Sequence, residues 1–306
     1  MPSLVGSEMC IRDSLLAVVA ILAFAGHAWG SGEVYWINTG TGDFHNPNNW
    51  DAGRVPEADP EGNFDKPTII NGGTCQLQDL APQVGTSYTF FQVGGSDDGG
   101  CLQIMDGAEL HTGRLFIGRN GSVFQTGGTL VYGGNSEVKI GYDGVGGLFE
   151  ISGGSIPNGG HITVKAGMFR IDNSTGGPSQ IKLKALNQND PGGTLEIVLD
   201  SSGNTVLIDC WYSADLEGTL VIDDRNYTSP VVGHRAHLIS TDDYRLDGHL
   251  YYDKLTFNDP NWKLVYVPHD DSHPDTGDLY VEYVPEPATL VLLGIGGCLA
   301  LLRRRK

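Results

Sequence analysis

Apolar and polar residues alternate in short runs that recur along the middle of the chain. Phe91-Gln92-Val93-Gly94, Leu115-Phe116-Ile117-Gly118 and Val138-Lys139-Ile140-Gly141 share one order: apolar, any residue, β-branched, glycine. Ile162-Thr163-Val164 repeats it, with Lys165 in the glycine place. The fourth positions, 94, 118, 141 and 165, stand 24, 23 and 24 residues apart. A second series is interleaved. Gly107-Ala108-Glu109-Leu110, Gly127-Gly128-Thr129-Leu130 and Gly153-Gly154-Ser155-Ile156 each read as a turn leading into a strand, with first glycines 20 and then 26 residues apart.

A period near 23 with strands this short predicts an all-β fold, a right-handed parallel β-helix or β-solenoid. One coil is too short to bury its own apolar face, so stacked coils must bury alternate residues in a continuous core. The inward candidates are Phe91, Val93, Leu115, Ile117, Val138, Ile140, Ile162 and Val164, with Gln92, Lys139 and Thr163 facing out. Leucine-rich repeats share the period but need a denser Leu pattern and a turn Asn. After Gly192 the strands lengthen (Leu195-Ile197-Leu199, Leu220-Ile222, Trp262-Leu264-Tyr266, Leu279-Val281-Tyr283). Residues 86–224 are therefore assigned to coils, and 225–284 to further coils or a small β domain. Both ends need caps, because an open solenoid end exposes unpaired strand edges. The N-terminal β cap is placed at 31–85.

The two termini follow other patterns. Leu15–Ala25 is an apolar run of signal-peptide length, followed by small residues that fit cleavage after Gly30. Residues 1–14 look like translated adaptor sequence and stay outside the fold argument. At the other end, 285–306 holds Pro285-Glu286-Pro287, the apolar run Ala288–Leu302, and Arg303-Arg304-Arg305-Lys306. The run is 15 residues long. As a single apolar helix it would rise about 22 Å, short of a hydrocarbon core of about 30 Å. Its basic end should stay cytoplasmic.

This tail resembles the PEP-CTERM sorting signal of Gram-negative environmental bacteria. The match rests on Pro285, Glu286, Pro287, the Gly-bearing apolar run, and Arg303, Arg304 and Arg305. The resemblance implies export, transient membrane attachment, processing by an exosortase-type protease-transpeptidase, and delivery to the cell surface or its polysaccharide matrix. The same segment is also identified as an ice-binding-protein C-terminal domain. The segment from Val34 to about Leu77 carries Trp36, Gly42-Asp43-Phe44, an Asn-Trp turn at Asn49-Trp50 and Val55-Pro56. With the Gly-Gly-Thr-Leu coils, it resembles surface β-helix proteins of the autotransporter-passenger and planctomycete type.

Composition narrows the partners. Gly makes up 44 of 306 residues, about twice the usual share of about 7%. Residues 31–302 hold 14 basic and 35 acidic residues, a net charge of −21. Such a surface repels nucleic acid, and repels anionic polysaccharide unless divalent cations bridge the two. Weak, nonspecific Ca²⁺ association at Ser96-Asp97-Asp98-Gly99 or Asn189-Asp190-Pro191-Gly192 follows from charge alone, and no other cofactor is expected. Cys75, Cys101 and Cys210 are too few and too scattered for a zinc site, and Cys75 with Cys101 is the pair nearest in sequence.

Trp36 and Trp50 are candidates for a sugar-stacking platform, although tryptophans in a small β cap are more often core residues. Trp211-Tyr212 shares that ambiguity. His269-Asp270-Asp271-Ser272-His273, bracketed by Pro268 and Pro274, reads as a solvated loop rather than a metal site. A regular outward Thr array, as ice binding needs, is absent from Gln92, Phe116, Lys139 and Thr163. No catalytic residue and no metal ligand is assigned. Asp106 and Asp172 are single carboxylates, and spacing does not place two carboxylates face to face as hydrolysis of a glycosidic bond requires. The leading expectation is a noncatalytic, surface-sorted structural or adhesive solenoid. The alternatives are a polysaccharide lyase or hydrolase on a β-helix, or a sugar- or ice-binding module.

Overall fold

The computed structural model describes residues 32–56, 65–79, 90–188, 191–241, 249–257, 259–270 and 273–284. The leader, the signal-peptide run, Asn189-Asp190 and the 285–306 tail with its expected apolar helix lie outside them. The chain opens with β1 (Glu33–Tyr35), β2 (Thr41–Asp43), a 3-10 turn at Pro47–Asn49, β3 (Lys66–Ile69), β4 (Thr74–Leu77) and β5 (Phe90–Val93). Next come β6 (Gly100–Ile104), β7 (Glu109–His111) and β8 (Arg114–Ile117), which make the first turn with three strands. β9 (Gly121–Ile140) and β10 (Leu148–Val164) each run through a whole turn, bending at two corners. The following turns are β11 (Met168–Asp172) with β12 (Gln180–Gln188), then β13 (Thr194–Val198) with β14 (Ile208–Leu216). β15 (Thr219–Asp223), β16 (Arg235–Thr241) and β17 (His249–Tyr251) complete the sixth.

Three parallel ladders result. Face A stacks β1, β3, β5, β8, the end of β9, the end of β10, the end of β12, the end of β14 and β17. Face B stacks β2, β4, β6, the start of β9, the start of β10, β11, β13 and β15. Face C stacks β7, the middle of β9, the middle of β10, the start of β12, the start of β14 and β16. β1 to β4, within the span assigned in sequence to a cap, thus pair in the same ladders as the coils. At the far end, β18 (Trp262–Asp270) and β19 (His273–Tyr283) form an antiparallel hairpin whose β19 pairs antiparallel with β16. After residue 224 the described chain supplies β16 and β17 of the last turn and then this hairpin.

The core follows from alternation. All eight inward candidates on face A are fully buried. They align in two columns, Phe91-Leu115-Val138-Ile162 and Val93-Ile117-Ile140-Val164, in direct register from coil to coil. Face B contributes Leu102, Val123, Phe149, Phe169 and Leu195 in one column, with Phe149 stacked on Phe169 at 5.4 Å between centroids. Face C contributes Leu110, Leu130, Ile156, Ile181 and Ile208, all buried. Each fully buried aliphatic side chain is worth roughly 1.5–3 kcal/mol. Of the outward positions, Gln92 and Lys139 are part-exposed, but Thr163 is covered to 8% exposure.

Two glutamines interrupt the apolar columns. Gln125 stands between Ile104 and Ile151 on face B, and Gln188 precedes Leu216 on face A. Both are buried. Gln188 Nε2 donates to the carbonyls of Gly193 at 2.8 Å and Thr219 at 3.0 Å, and Gln125 Nε2 to that of Ser155 at 3.0 Å. Each amide therefore ties its own coil to a corner of the next.

The glycine positions of the repeat mark where the chain leaves face A. The amides of Gly94, Gly118, Gly141 and Lys165 donate to the carbonyls of Ile69, Val93, Ile117 and Ile140, one coil earlier. Gly154, in the second series, has φ +73°. A Cβ there would overlap the backbone of Gly127 and Gly128. Gly144 also has a positive φ, +81°, but faces open space. Gly144→Ala should therefore cost about 1 kcal/mol of backbone strain, and Gly154→Ala about 3 kcal/mol because overlap adds to strain. Guanidinium unfolding of the two variants measures the difference, and equal costs would show that coil-to-coil contact at this corner does not limit stability.

Candidate functional site

The outer surface of the coils carries the polar chemistry. On face B, Glu150, Arg170 and Glu196 stand side by side on β10, β11 and β13. Arg170 Nε lies 3.7 Å from Glu150 and 3.6 Å from Glu196, and Arg170 Nη2 lies 3.5 Å from Asp172. Burial pushes the Glu150 carboxyl above its usual range; Arg170 opposes this, while Asp172 and Glu196 reinforce it. Glu150 and Glu196 are two strand spacings apart, about 9–10 Å. That separation falls near the upper end of hydrolytic carboxylate pairs. Arg170, however, stands where a substrate bond or a water would have to go. The three carboxylates share one guanidinium, so the cluster acts as a rung that fixes the register of three coils. Spacing alone hid it, because the turns between these strands differ in length.

Replacing Arg170 by Leu should leave three partly buried carboxylates without a cation and cost about 2–3 kcal/mol at pH 7. Without the cation the Glu150 carboxyl, already raised by burial, rises further. Stability of the variant therefore recovers as pH falls through that raised folded value, and the gap to wild type narrows towards pH 4. Glu150 is already raised in the wild type, so its ionised form adds little, and Glu150→Gln should stay within about 1 kcal/mol of wild type at pH 7. Denaturant melts at both pH values test this. A gap for Arg170→Leu that does not depend on pH would mean that packing, not charge, holds the rung.

A second polar ladder crosses the closing hairpin. Arg235 and Lys263 flank Glu282 at 2.7 and 2.9 Å. His237 and His269 approach Asp278 at 3.1 and 3.3 Å, and the Tyr280 hydroxyl donates to the same carboxylate at 3.2 Å. Burial would raise Asp278, but the hydrogen bond from Ser240 and the two imidazoles outweigh it and hold the carboxyl below its usual range. Of the His-Asp-Asp-Ser-His segment, Asp271 and Ser272 lie outside the described residues. His269 and Asp270 end β18, His273 begins β19, and His269 turns to Asp278. Among the described residues no group of three or more His, Cys, Asp or Glu side chains is arranged to hold a metal ion.

The aromatic candidates separate by burial. Trp36 and Trp50 are each 1% exposed and meet edge to face at 5.0 Å. Trp50 packs on Phe44, and its Nε1 donates to the Phe44 carbonyl at 2.8 Å. Neither ring offers a face to a sugar; they are core residues of the first turns. Trp211 is 39% exposed, at the corner between faces C and A, beside Tyr212. Lys184 Nζ lies 6.0 and 5.7 Å from the two ring centroids. Phe90, Phe116 and Tyr142 form a further outward cluster on face A, with Gln92 Nε2 donating to the Tyr142 hydroxyl at 2.7 Å. A shallow cleft of about 200 Å³ lies beyond β14, lined by Asp215, Leu216, Glu217, Tyr251, Asp253 and Lys254.

Arg119 pairs with Asp97 at 3.0 Å across neighbouring turns, and Lys139 lies 3.7 Å from Glu137. Cys75 and Cys101 are free thiols on opposite faces of one ladder: Cys75 sits across from Leu102 and points in, while Cys101 sits across from Thr74 and points out. Opposed directions preclude a disulfide. Burial raises all three thiols above their ordinary value.

Trp50→Ala should destabilise the fold by about 3–5 kcal/mol, as loss of a buried indole does. Thermal unfolding checks it, and a variant as stable as wild type would show that the aromatic group does not hold the first turns.

The described residues thus form an all-β solenoid of six complete three-strand turns with almost no helix. Residues 284–306 match the family model of the PEP-CTERM protein-sorting motif. The match includes the sequence-assigned Pro285, Glu286, Pro287, Arg303, Arg304 and Arg305, all outside the described residues. The motif is the sorting signal that exosortase recognises, and it marks an exported protein anchored at the membrane before processing. Neither the curated proteins nor the solved structures include a match to the chain. Among the described residues no helix is long and apolar enough to cross a membrane.

Proposed function

We propose that the chain is a noncatalytic structural or adhesive strut of a bacterial cell surface or exopolysaccharide matrix. One observation carries the reading: the hairpin that closes the solenoid ends at Tyr283, and the sorting motif begins at Val284. Six turns of continuous ladder give a stiff element, and the address is attached to its closed end. Arg119 and Arg170 pair with carboxylates on neighbouring coils, which suits a load-bearing rod. The likeness of its coils to surface β-helix proteins of the autotransporter-passenger and planctomycete type belongs to the same reading, as do the right-handed coil and the placement of Trp36, Phe44 and Trp50 as an N-terminal cap. Contact with extracellular polysaccharide would fall to the exposed Trp211 and its half-buried neighbour Tyr212 rather than to the buried pair.

Replacing Pro285-Glu286-Pro287 by three alanines in an exosortase-bearing host should leave the unprocessed chain in the membrane fraction, while the wild type loses its tail and leaves that fraction. Immunoblotting of fractions reads the outcome, and identical distribution of both forms would sink the sorting part. The processed body should release no reducing or unsaturated ends from the host's matrix polysaccharide. Turnover abolished by Glu150→Gln would replace this reading with a polysaccharide-acting enzyme.

A further inference from the structure

Val231-Val232-Gly233-His234 is a β-turn at the closed end of the solenoid, with the His234 amide donating to the Val231 carbonyl at 3.0 Å and Gly233 at φ +81°. A positive φ at the third position is what a type II turn requires of glycine. Turn tips ordinarily carry polar residues. Here the tip is Val231 and Val232, 61% and 64% exposed, the two highest values among the exposed large apolar residues. Folding gains nothing from them, yet the turn is held firmly. The Val231 amide donates to the hydroxyl of the buried Tyr227 at 2.8 Å, and Tyr227 packs against Trp262 and Tyr283.

The turn is bonded directly to the point where the sorting motif leaves. Gly233 N donates to the Tyr283 carbonyl at 2.9 Å, and Tyr283 N to the His234 carbonyl at 2.8 Å. Val284, the first residue of the motif, is 37% exposed, and its amide donates to Asn261. Four residue steps separate Val284 from Ala288, where the apolar run begins. At about 3.3–3.6 Å per residue they span at most about 14 Å. With the run in the bilayer, the valine turn is confined to the headgroup zone or its edge.

We infer that Val231, Val232 and Val284 form a contact surface for the lipid headgroup region of the membrane that holds the tail, orienting the solenoid while exosortase acts. This rests on the sorting reading. The contact works only while the tail is anchored, because the chain carries a formal net charge of −18 and two valines cannot hold so acidic a body on a membrane. The short tether supplies the high local concentration that makes a weak contact effective.

The test uses the full chain, anchored by its tail in protein-free phosphatidylcholine/phosphatidylglycerol vesicles. Cys10, Cys101 and Cys298 are replaced by serine, and a polarity-sensitive fluorophore is placed on Val232→Cys or, at the opposite end, on Ile37→Cys. The expected result is a blue shift and quenching by headgroup-spin-labelled lipid at position 232, none at 37, and loss of both effects once the tail is cut off. Vesicles that float with the protein while the 232 label stays unquenched overturn the inference. A blue shift without lipid quenching also overturns it, and assigns the valines to the chain's own tail. Failure of the protein to float indicts the anchoring reading instead.

Discussion

The structure depends on one constraint: no turn of this chain can bury its own apolar face. A strand of three to five residues offers one or two inward side chains, and these reach an apolar environment only when another turn lies above and below. The parallel ladder supplies that neighbour and pairs the backbone at the same time. The inward columns, the corner glycines and the core glutamines are consequences. Gln188 shows how strict the constraint is. It occupies a core position, and its amide is tolerated because the carbonyls of Gly193 and Thr219 in adjoining turns accept its protons.

A ladder that needs neighbours has two ends that lack them. At the N-terminal end, Trp36, Phe44 and Trp50 form a compact aromatic group continuous with Phe91. At the C-terminal end the chain reverses direction: β19 pairs antiparallel with β16, and β18 covers β19. The reversal breaks the repeat that would let another parallel coil dock in the same register. Its outer row is charged, with Arg235, Glu282 and Lys263 in line, which further discourages a second edge from pairing. Placing the sorting motif on this end puts the anchor where the stack is already closed.

Much of this was legible in the sequence, and the limits have physical causes. Face A could be read because its four-residue motif keeps a step of 23 or 24 and ends on a residue that must turn. Face C was visible as the Gly-Gly series. Face B was not recognised as a separate ladder, because Phe124, Leu148 and Met168 stand at outward positions and blur the alternation. The Glu150–Arg170–Glu196 rung depends on register between turns of unequal length, which composition does not encode. The tryptophans allow two readings because an indole suits both a core, the commoner place in a small cap, and a sugar platform; burial separates Trp50 from Trp211. Cys75 and Cys101, close in sequence, are kept apart by the strand alternation that makes one inward and the other outward.

The acidic surface restricts how such a body can act once it is outside the cell. At 35 acidic against 14 basic residues over 31–302, two copies repel each other, and each repels anionic polymer. Most cations that might offset this are spent within the stack, as Arg170 is on face B. Adhesion through broad electrostatic attraction is therefore closed to it without bridging divalent ions. What remains are local apolar and aromatic exposures, and in the described residues these differ by place. Trp211 and Tyr212 lie at the corner between faces C and A on the fifth of the six turns, while Val231 and Val232 lie beside the exit of the sorting motif. A side contact suits a polymer running along the rod, and an end contact suits the membrane at its base, so the proposed strut would hold the two surfaces at different positions on one rigid element.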